Sequence, residues 1–289
     1  MKYRWVLLLS AMAFLFSCFS VEAQDGTSDL PRSVNASTMI GVGRYNIMDT
    51  YLSPGSNMNY SGFALRVTDE RMIYTKLCDG RILRQQLFQI DYASTLNPAG
   101  TLREYAGFID YTLGYHYEFP VLPGLRLLAG ASAHVLLGGI YNIQSSNNPA
   151  SAKADLDLNM SGMAFYSFKI GKLPLFLRYQ LQLPFAGVLF SPKYGQSYYE
   201  IFQLGNSSGV VPFTSFHNKF VVKNTLTVDI PLPFITLRAG NMGSRYHLDV
   251  NGIQSHLNSR YFVIGFVKEF ITIGGKRNRS AGQCKGIYD

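Results

Sequence analysis

Ser132 and His134 stand two residues apart in a stretch whose apolar residues fall on the alternate positions, so a strand carries hydroxyl and imidazole on one face. Asp157 and Asn159 repeat that spacing in the next alternating stretch. A nucleophile, a base and an orienting group are thus available to one layer of strands, which is the minimum set for acyl transfer. His256 and Ser259 offer a second pair. Neither set has the fixed spacing of a catalytic motif, and polar faces of neighbouring strands bring such residues together by chance. The reading is therefore not an enzyme, with a lipid- or ester-active hydrolase as a remote alternative.

A wider set shares those polar faces: Arg66, Asp91, Asp110, His116, Arg126, His134, Asp157, Asn159, Arg178 and Arg238. If the strands close on themselves these side chains converge inside. Unpaired charge there is costly, so ion pairs that fill the interior are expected. The alternatives are a pocket open to the outside and a narrow conduit for small solutes, in which the same residues bind solute. Tyr194, Tyr198, Tyr199 and Glu200 lie in a long connection, where tyrosines suit carbohydrate or protein contact. That segment can equally fold back as a cap, with Tyr198, Tyr199, Ile201 and Phe202 packed inward. No spacing of cysteine and histidine makes a metal site, and no cofactor is implied.

The elements that carry these residues read most clearly over 155–183. Leu156, Leu158, Met160, Ala164, Tyr166, Phe168 and Ile170 fall on one face, with Asp155, Asp157, Asn159, Ser161 and Lys169 on the other. After a break at 171–174 the alternation resumes with Leu175, Leu177, Tyr179, Leu181 and Leu183 against Arg178, Gln180 and Gln182. Two period-two runs across a tight turn are a hairpin, and their length suits tilted membrane-crossing strands. Similar runs lie at about 38–47, 59–68, 83–93, 105–119, 125–137, 219–230, 234–242 and 260–270, with Arg44 placed on the polar face of the first. Residues 69–81 read as a charged connection. Links at 119–124, 170–174 and 229–233 are short and contain proline, whereas those at 138–154, 184–216 and 243–258 are long. An even count with short turns at one end and long loops at the other is the pattern of an outer-membrane barrel. The fold expected is all-β, an antiparallel transmembrane barrel of about ten strands; twelve strands and a secreted β-sandwich are the alternatives.

Composition agrees. Aromatic residues make up 14% and charged residues only 15%, against about 25% charged in a soluble domain. No stretch after the N-terminus reaches the apolar length of a membrane helix, so a closed barrel is the form in which this chain could cross lipid. Residues 1–23 read as a signal peptide: a basic start, an apolar run, and Val21-Glu22-Ala23 before a cut ahead of Gln24. Bulky Phe16 argues against the rival reading of Cys18 as a lipidation site. Residues 24–35 then form a lead-in, 36–270 the barrel and 271–289 a basic periplasmic tail. Removing Lys2, Arg4 and Glu22 from 26 basic and 18 acidic residues leaves 24 and 17, a net of +7. Outer-membrane lipid is the expected partner and nucleic acid is not. Cys78 and Cys284 both fall on the periplasmic side, where an oxidising compartment permits a disulfide without requiring one.

Several stretches add a resemblance: DTYLSP (49–54), NPAG (97–100), SNNPA (146–150), SGMAFYSFKI (161–170), LRYQLQLPFAGVLFSPKYGQSYYEIF (177–202), VNGIQSH (250–256) and IGFVKEF (264–270). Together they resemble an uncharacterised family of signal-peptide-bearing Gram-negative envelope proteins, classified only as a domain of unknown function. The resemblance spans almost the whole mature chain. It implies a β-rich outer-envelope protein and carries over no catalytic or binding residue.

Overall fold

Period-two alternation over long runs becomes a single closed antiparallel sheet. The computed structural model describes residues 32–54, 58–144, 148–171, 173–232 and 234–272. Its strands are β1 (Arg32–Asp49), β2 (Tyr60–Tyr74), β3 (Ile82–Leu96), β4 (Arg103–Leu122), β5 (Leu125–Asn142), β6 (Ala150–Ile170), β7 (Leu173–Phe190), β8 (Phe213–Ser215), β9 (Lys219–Pro231), β10 (Thr236–Val250) and β11 (Ile253–Thr272). One short helix, α1 (Tyr198–Phe202), lies between β7 and β8. Each strand pairs with its sequence neighbour, β7 with β9, and β1 closes the ring against β11 from Arg32↔Thr272 to Asp49↔Ser255. Ten strands make the wall; β8 adds three residues to the far end of β7. A closed ring excludes the sandwich and the twelve-stranded alternative.

β1 starts and β11 ends at the end of the wall where short connections follow Tyr74, Leu122, Ile170 and Pro231; the longer connections, including 191–218, occupy the opposite end. Outward residues in mid-wall are mostly apolar: Ile40, Val42, Phe63, Leu65, Ile90, Ile109, Leu156, Leu158, Leu226, Phe262 and Ile264 are exposed, with Asn241 of β10 a polar exception. Stacked outward aromatic pairs flank this belt, Tyr166 with Phe168 near the short turns and Tyr92 with Tyr105 toward the other end.

Near the long-loop end the polarity of the wall inverts. Along β11, Phe262, Ile264 and Phe266 face out, but closer to the tip Ile253 and Leu257 face in while Gln254 and Arg260 are exposed. β1 and β10 do the same, with Tyr45, Ile47, Tyr246, Leu248 and Val250 buried inside and Arg44, Arg245 and Asp249 exposed. That upper part is built like a water-soluble barrel, apolar within and polar without.

The strands also run past several expected boundaries. Residues 243–258 are continuous strand in β10 and β11, joined by Asn251-Gly252 at φ +56° and +76°, the two-residue turn that suits a hairpin's twist. β5 runs to Asn142 and β6 starts at Ala150, so only the middle of 138–154 is loop. β7 continues to Phe190, well into the expected 184–216 loop. β2 continues through Asp69-Glu70-Arg71 to Tyr74, leaving 75–81 as the turn. β1 begins within the expected lead-in, and β11 runs two residues past 270. Arg44 faces outward. The signal peptide, the rest of the tail and Cys284 lie outside the described residues.

Candidate functional site

The strands deliver their inward side chains to three layers. At the short-turn end Met72, Tyr74, Leu83, Leu128, Met163 and Phe165 form a buried apolar cluster. At the long-loop end a larger cluster takes in Tyr45, Ile47, Tyr51, Leu52, Tyr60, Phe108, Ile140, Leu189, Tyr246, Leu248, Val250, Ile253 and Leu257. Most of the charged set lies between them.

Arg66 grips Asp91 with two contacts of 2.6 Å and lies 4.3 Å over the Tyr261 ring. Asp110 takes His134 Nε2 at 2.9 Å and the Lys223 ammonium. The other His134 nitrogen meets Asp157 at 3.2 Å, and Lys219 holds Asp157 and Asp155 at 2.8 Å each. Tyr246 donates its hydroxyl to Asp155 at 2.9 Å. Glu70 is shared by Arg178 at 2.6 and 2.7 Å and by Arg238 at 3.0 Å, and Arg238 holds Asp229 at 2.6 and 2.7 Å. His116 Nε2 lies 2.9 Å from Ser161 Oγ, in space that a side chain at Gly114 would occupy. Arg126 reaches toward the Tyr74 hydroxyl at 3.4 Å and lies over Phe165. Asn159 is fully buried beside Ser132 in the ladder; its amide and the Ser132 hydroxyl have no hydrogen-bond partner among the described residues.

All ten expected interior residues therefore face the lumen, and most are locked in ion pairs. The chemistry expected of two dyads is another matter. Both ring nitrogens of His134 are engaged, Nδ1 by Asp157 and Nε2 by Asp110 and the Lys223 ammonium at 2.7 Å, and Ser132 has no base on its hydroxyl among the described residues. His256 faces outward, stacked on His247 at 4.3 Å, while Ser259 is buried on the inner face, so the wall separates them. An odd separation of three on a strand puts two residues on opposite faces.

Glu70, Lys219 and Lys153 belong to the interior set and were not anticipated there, whereas Asp155 faces inward with the polar face of its strand, as expected. Glu70 sits in a run of three charges that reads as loop, although Met72 and Tyr74 after it keep its phase. Lys153 pairs with Asp49 at 2.7 Å near the long-loop rim. A cavity of about 50 Å³ remains beside Asp91, Asp110, His134, Asp157, Gln182 and Lys223, where β7 bulges after Pro184 and its pairing with β9 ends.

The cap is half as expected. Tyr198 and Ile201 turn inward, whereas Tyr194, Tyr199 and Phe202 are exposed. The one-turn helix puts positions three apart on the same side and 199 on the other. Tyr198 stacks against Phe190 and Phe202, and its hydroxyl accepts from the Ala152 N–H at 2.7 Å. Glu200 is consumed by a capping box with Ser197. Asn251 at the β10–β11 tip donates to the Ser191 and Gly209 carbonyls at 2.9 and 3.0 Å, pinning the loop to the hairpin. Cys78 is exposed in the 75–81 turn, at the opposite end. Among the described residues no group of three metal-ligating side chains occurs.

Ring closure, apolar belt and charged interior together define the outer-membrane class of β-barrel. The outer membrane protease OmpT of Escherichia coli has a similar fold: TM-score 0.50, 9% identity, 85% of this chain and 99% of that one. The transport unit of the autotransporter AIDA-I, also from Escherichia coli, matches with TM-score 0.40 and 8% identity over 89% and 96% of the two chains. No curated protein sequence matches. The chain belongs to the family described as protein of unknown function DUF3316, whose model matches residues 6–277.

Proposed function

We propose that this protein is a closed, non-conducting outer-membrane barrel that displays an ordered cap at the cell surface, as a structural or interaction protein. One observation carries the reading: an ion-paired layer sealed by an apolar cluster on each side. A conduit would need water along its length, and both clusters exclude it. The charges in the middle are tied to one another, which fits fixing the barrel's shape better than capturing a solute. On this reading the chain is exported after cleavage behind Ala23, the long-loop end faces outside, and lipid surrounds the belt. Exposed Tyr194, Tyr199 and Phe202 are then the surface offered to a carbohydrate or protein, while the lumen set of Arg66 to Arg238 is structural.

Thiol labelling tests the placement. Tyr199→Cys is expected to react with a membrane-impermeant maleimide on intact cells, whereas native Cys78, after mild reduction, reacts only once the outer membrane is permeabilised. Equal labelling of both in the soluble periplasmic fraction would overturn the reading.

A further inference from the structure

The inverted upper wall leaves three arginines on the outside with no carboxylate to neutralise them among the described residues. Arg44 on β1 and Arg260 on β11 stand directly opposite each other in the ladder, and Arg245 on β10 pairs with Asn258, two residues nearer the β10–β11 turn than Gly243, the residue opposite Arg260. All three are exposed, and none has a carboxylate partner among the described residues. Like charges directly opposed on one face of a sheet destabilise it. Asp249, the outward carboxylate higher on β10, accepts from Gln254 Nε2 at 3.3 Å instead.

Their level on the wall says what could neutralise them. On β1 the outward residues just below Arg44 are Val42 and Ile40; on β11 those below Arg260 are Phe262 and Ile264. The arginines thus stand where the apolar belt gives way to the polar wall. Gly243, opposite Arg260, has no side chain of its own, and the Asn224 side-chain oxygen lies 2.5 Å from where its Cβ would stand. Asn46 adjoins Arg44, and its side-chain oxygen already accepts from Ser61 at 2.8 Å, which leaves its amide nitrogen to donate.

We infer that Arg44, Arg245 and Arg260 hold the phosphate group of a lipid headgroup in the leaflet on the long-loop side. Guanidinium forks match phosphate oxygens two by two, and long stems let the charge reach the headgroup level from a strand in the apolar zone. The site faces away from the lumen at the edge of the belt, so a phosphate anchored in the leaflet is held against it, whereas a free one has no pocket to retain it. The inference rests on the barrel standing in the membrane with this end outward.

The test uses the full chain, refolded in detergent, with heat-modifiable gel migration as the control for a folded barrel. Native mass spectrometry then measures retention of a bisphosphorylated lipid A, its dephosphorylated form and inorganic phosphate. The triple variant R44S/R245S/R260S is expected to bind the phosphorylated lipid on the order of a hundredfold more weakly than wild type, as three lost cations near an anionic headgroup imply. R71S, a charge removed near the short turns, should leave binding unchanged. Equal binding of the phosphorylated lipid by wild type and the folded triple variant overturns the site. Equal binding of phosphorylated and dephosphorylated lipid overturns the phosphate, and inorganic phosphate bound as tightly as the lipid overturns the lipid. A wild-type chain that stays soluble without detergent would instead defeat the membrane reading itself.

Discussion

Glu70 of β2 and Arg178 of β7 meet across the lumen through two contacts of 2.6 and 2.7 Å, 108 residues apart in sequence. Arg238 joins the same carboxylate from a third strand. Three distant strands are tied at one point, with Gln85 and Gln180 completing the contacts around it.

Removing the shared carboxylate leaves the buried Arg178 guanidinium without a carboxylate, beside Arg238, which keeps Asp229. Glu70→Gln is expected to cost about 3–5 kcal/mol. The temperature at which the folded gel band disappears should fall accordingly. Glu70→Gln with Arg178→Met should recover part of the loss, since Arg238 keeps Asp229. An unchanged melting profile in the single variant would show that the network is not structural.

Asn159 predicts the opposite sign. It is fully buried, yet neither end of its amide has a partner among the described residues. Asn159→Leu removes an unsatisfied polar group at similar size, so folding stability should hold or rise by about 1 kcal/mol. A fall comparable to that of Glu70→Gln would mean that the amide has a bound partner.

Loop docking should depend on the hairpin tip. Asn251→Ala deletes two side-chain hydrogen bonds to the 191–218 segment and puts alanine at a positive φ. The variant should fold, but hydrogen exchange over residues 191–210 should quicken by roughly tenfold or more, in line with about 1–2 kcal/mol of lost local stability. Unchanged protection would place the loop's anchorage elsewhere.

The cap should be alkali-sensitive and acid-tolerant. Burial raises the Tyr198 hydroxyl above its ordinary value, and burial followed by the neighbouring Tyr198 raises that of Tyr51. A raised folded value means that the undocked cap loses its proton first. The contribution is complete below the ordinary tyrosine value of about 10 and is lost as pH rises through the folded values. Tryptic cleavage after exposed Lys193 is expected to stay flat from neutral pH to about 9 and to rise beyond 10. Tyr198→Phe should remove most of that pH dependence; its persistence would assign the effect to another group.

Much of this was legible in sequence. Alternation alone put Arg66, Asp91, Asp110, His134, Asp157, Arg178 and Arg238 on one face, and closure then made that face the lumen. What alternation could not show was where its own phase reverses. Across 243–258 the rhythm persists, but Tyr246, Leu248 and Val250 have turned inward and Arg245, His247 and Asp249 outward. Outward polar residues outside lipid read as loop when apolar residues are taken to mark the lipid side. Glu70 was hidden differently, by charged neighbours on both sides that face opposite ways. Pairing partners were not legible at all, because Lys219 finds Asp155 and Asp157 across more than sixty residues.

The sealed lumen is tested most directly by conductance of the refolded protein in planar bilayers. The account predicts no unitary steps above the bare membrane, at either polarity, in molar potassium chloride. Steady ohmic openings from wild-type protein that migrates as a folded barrel would contradict it.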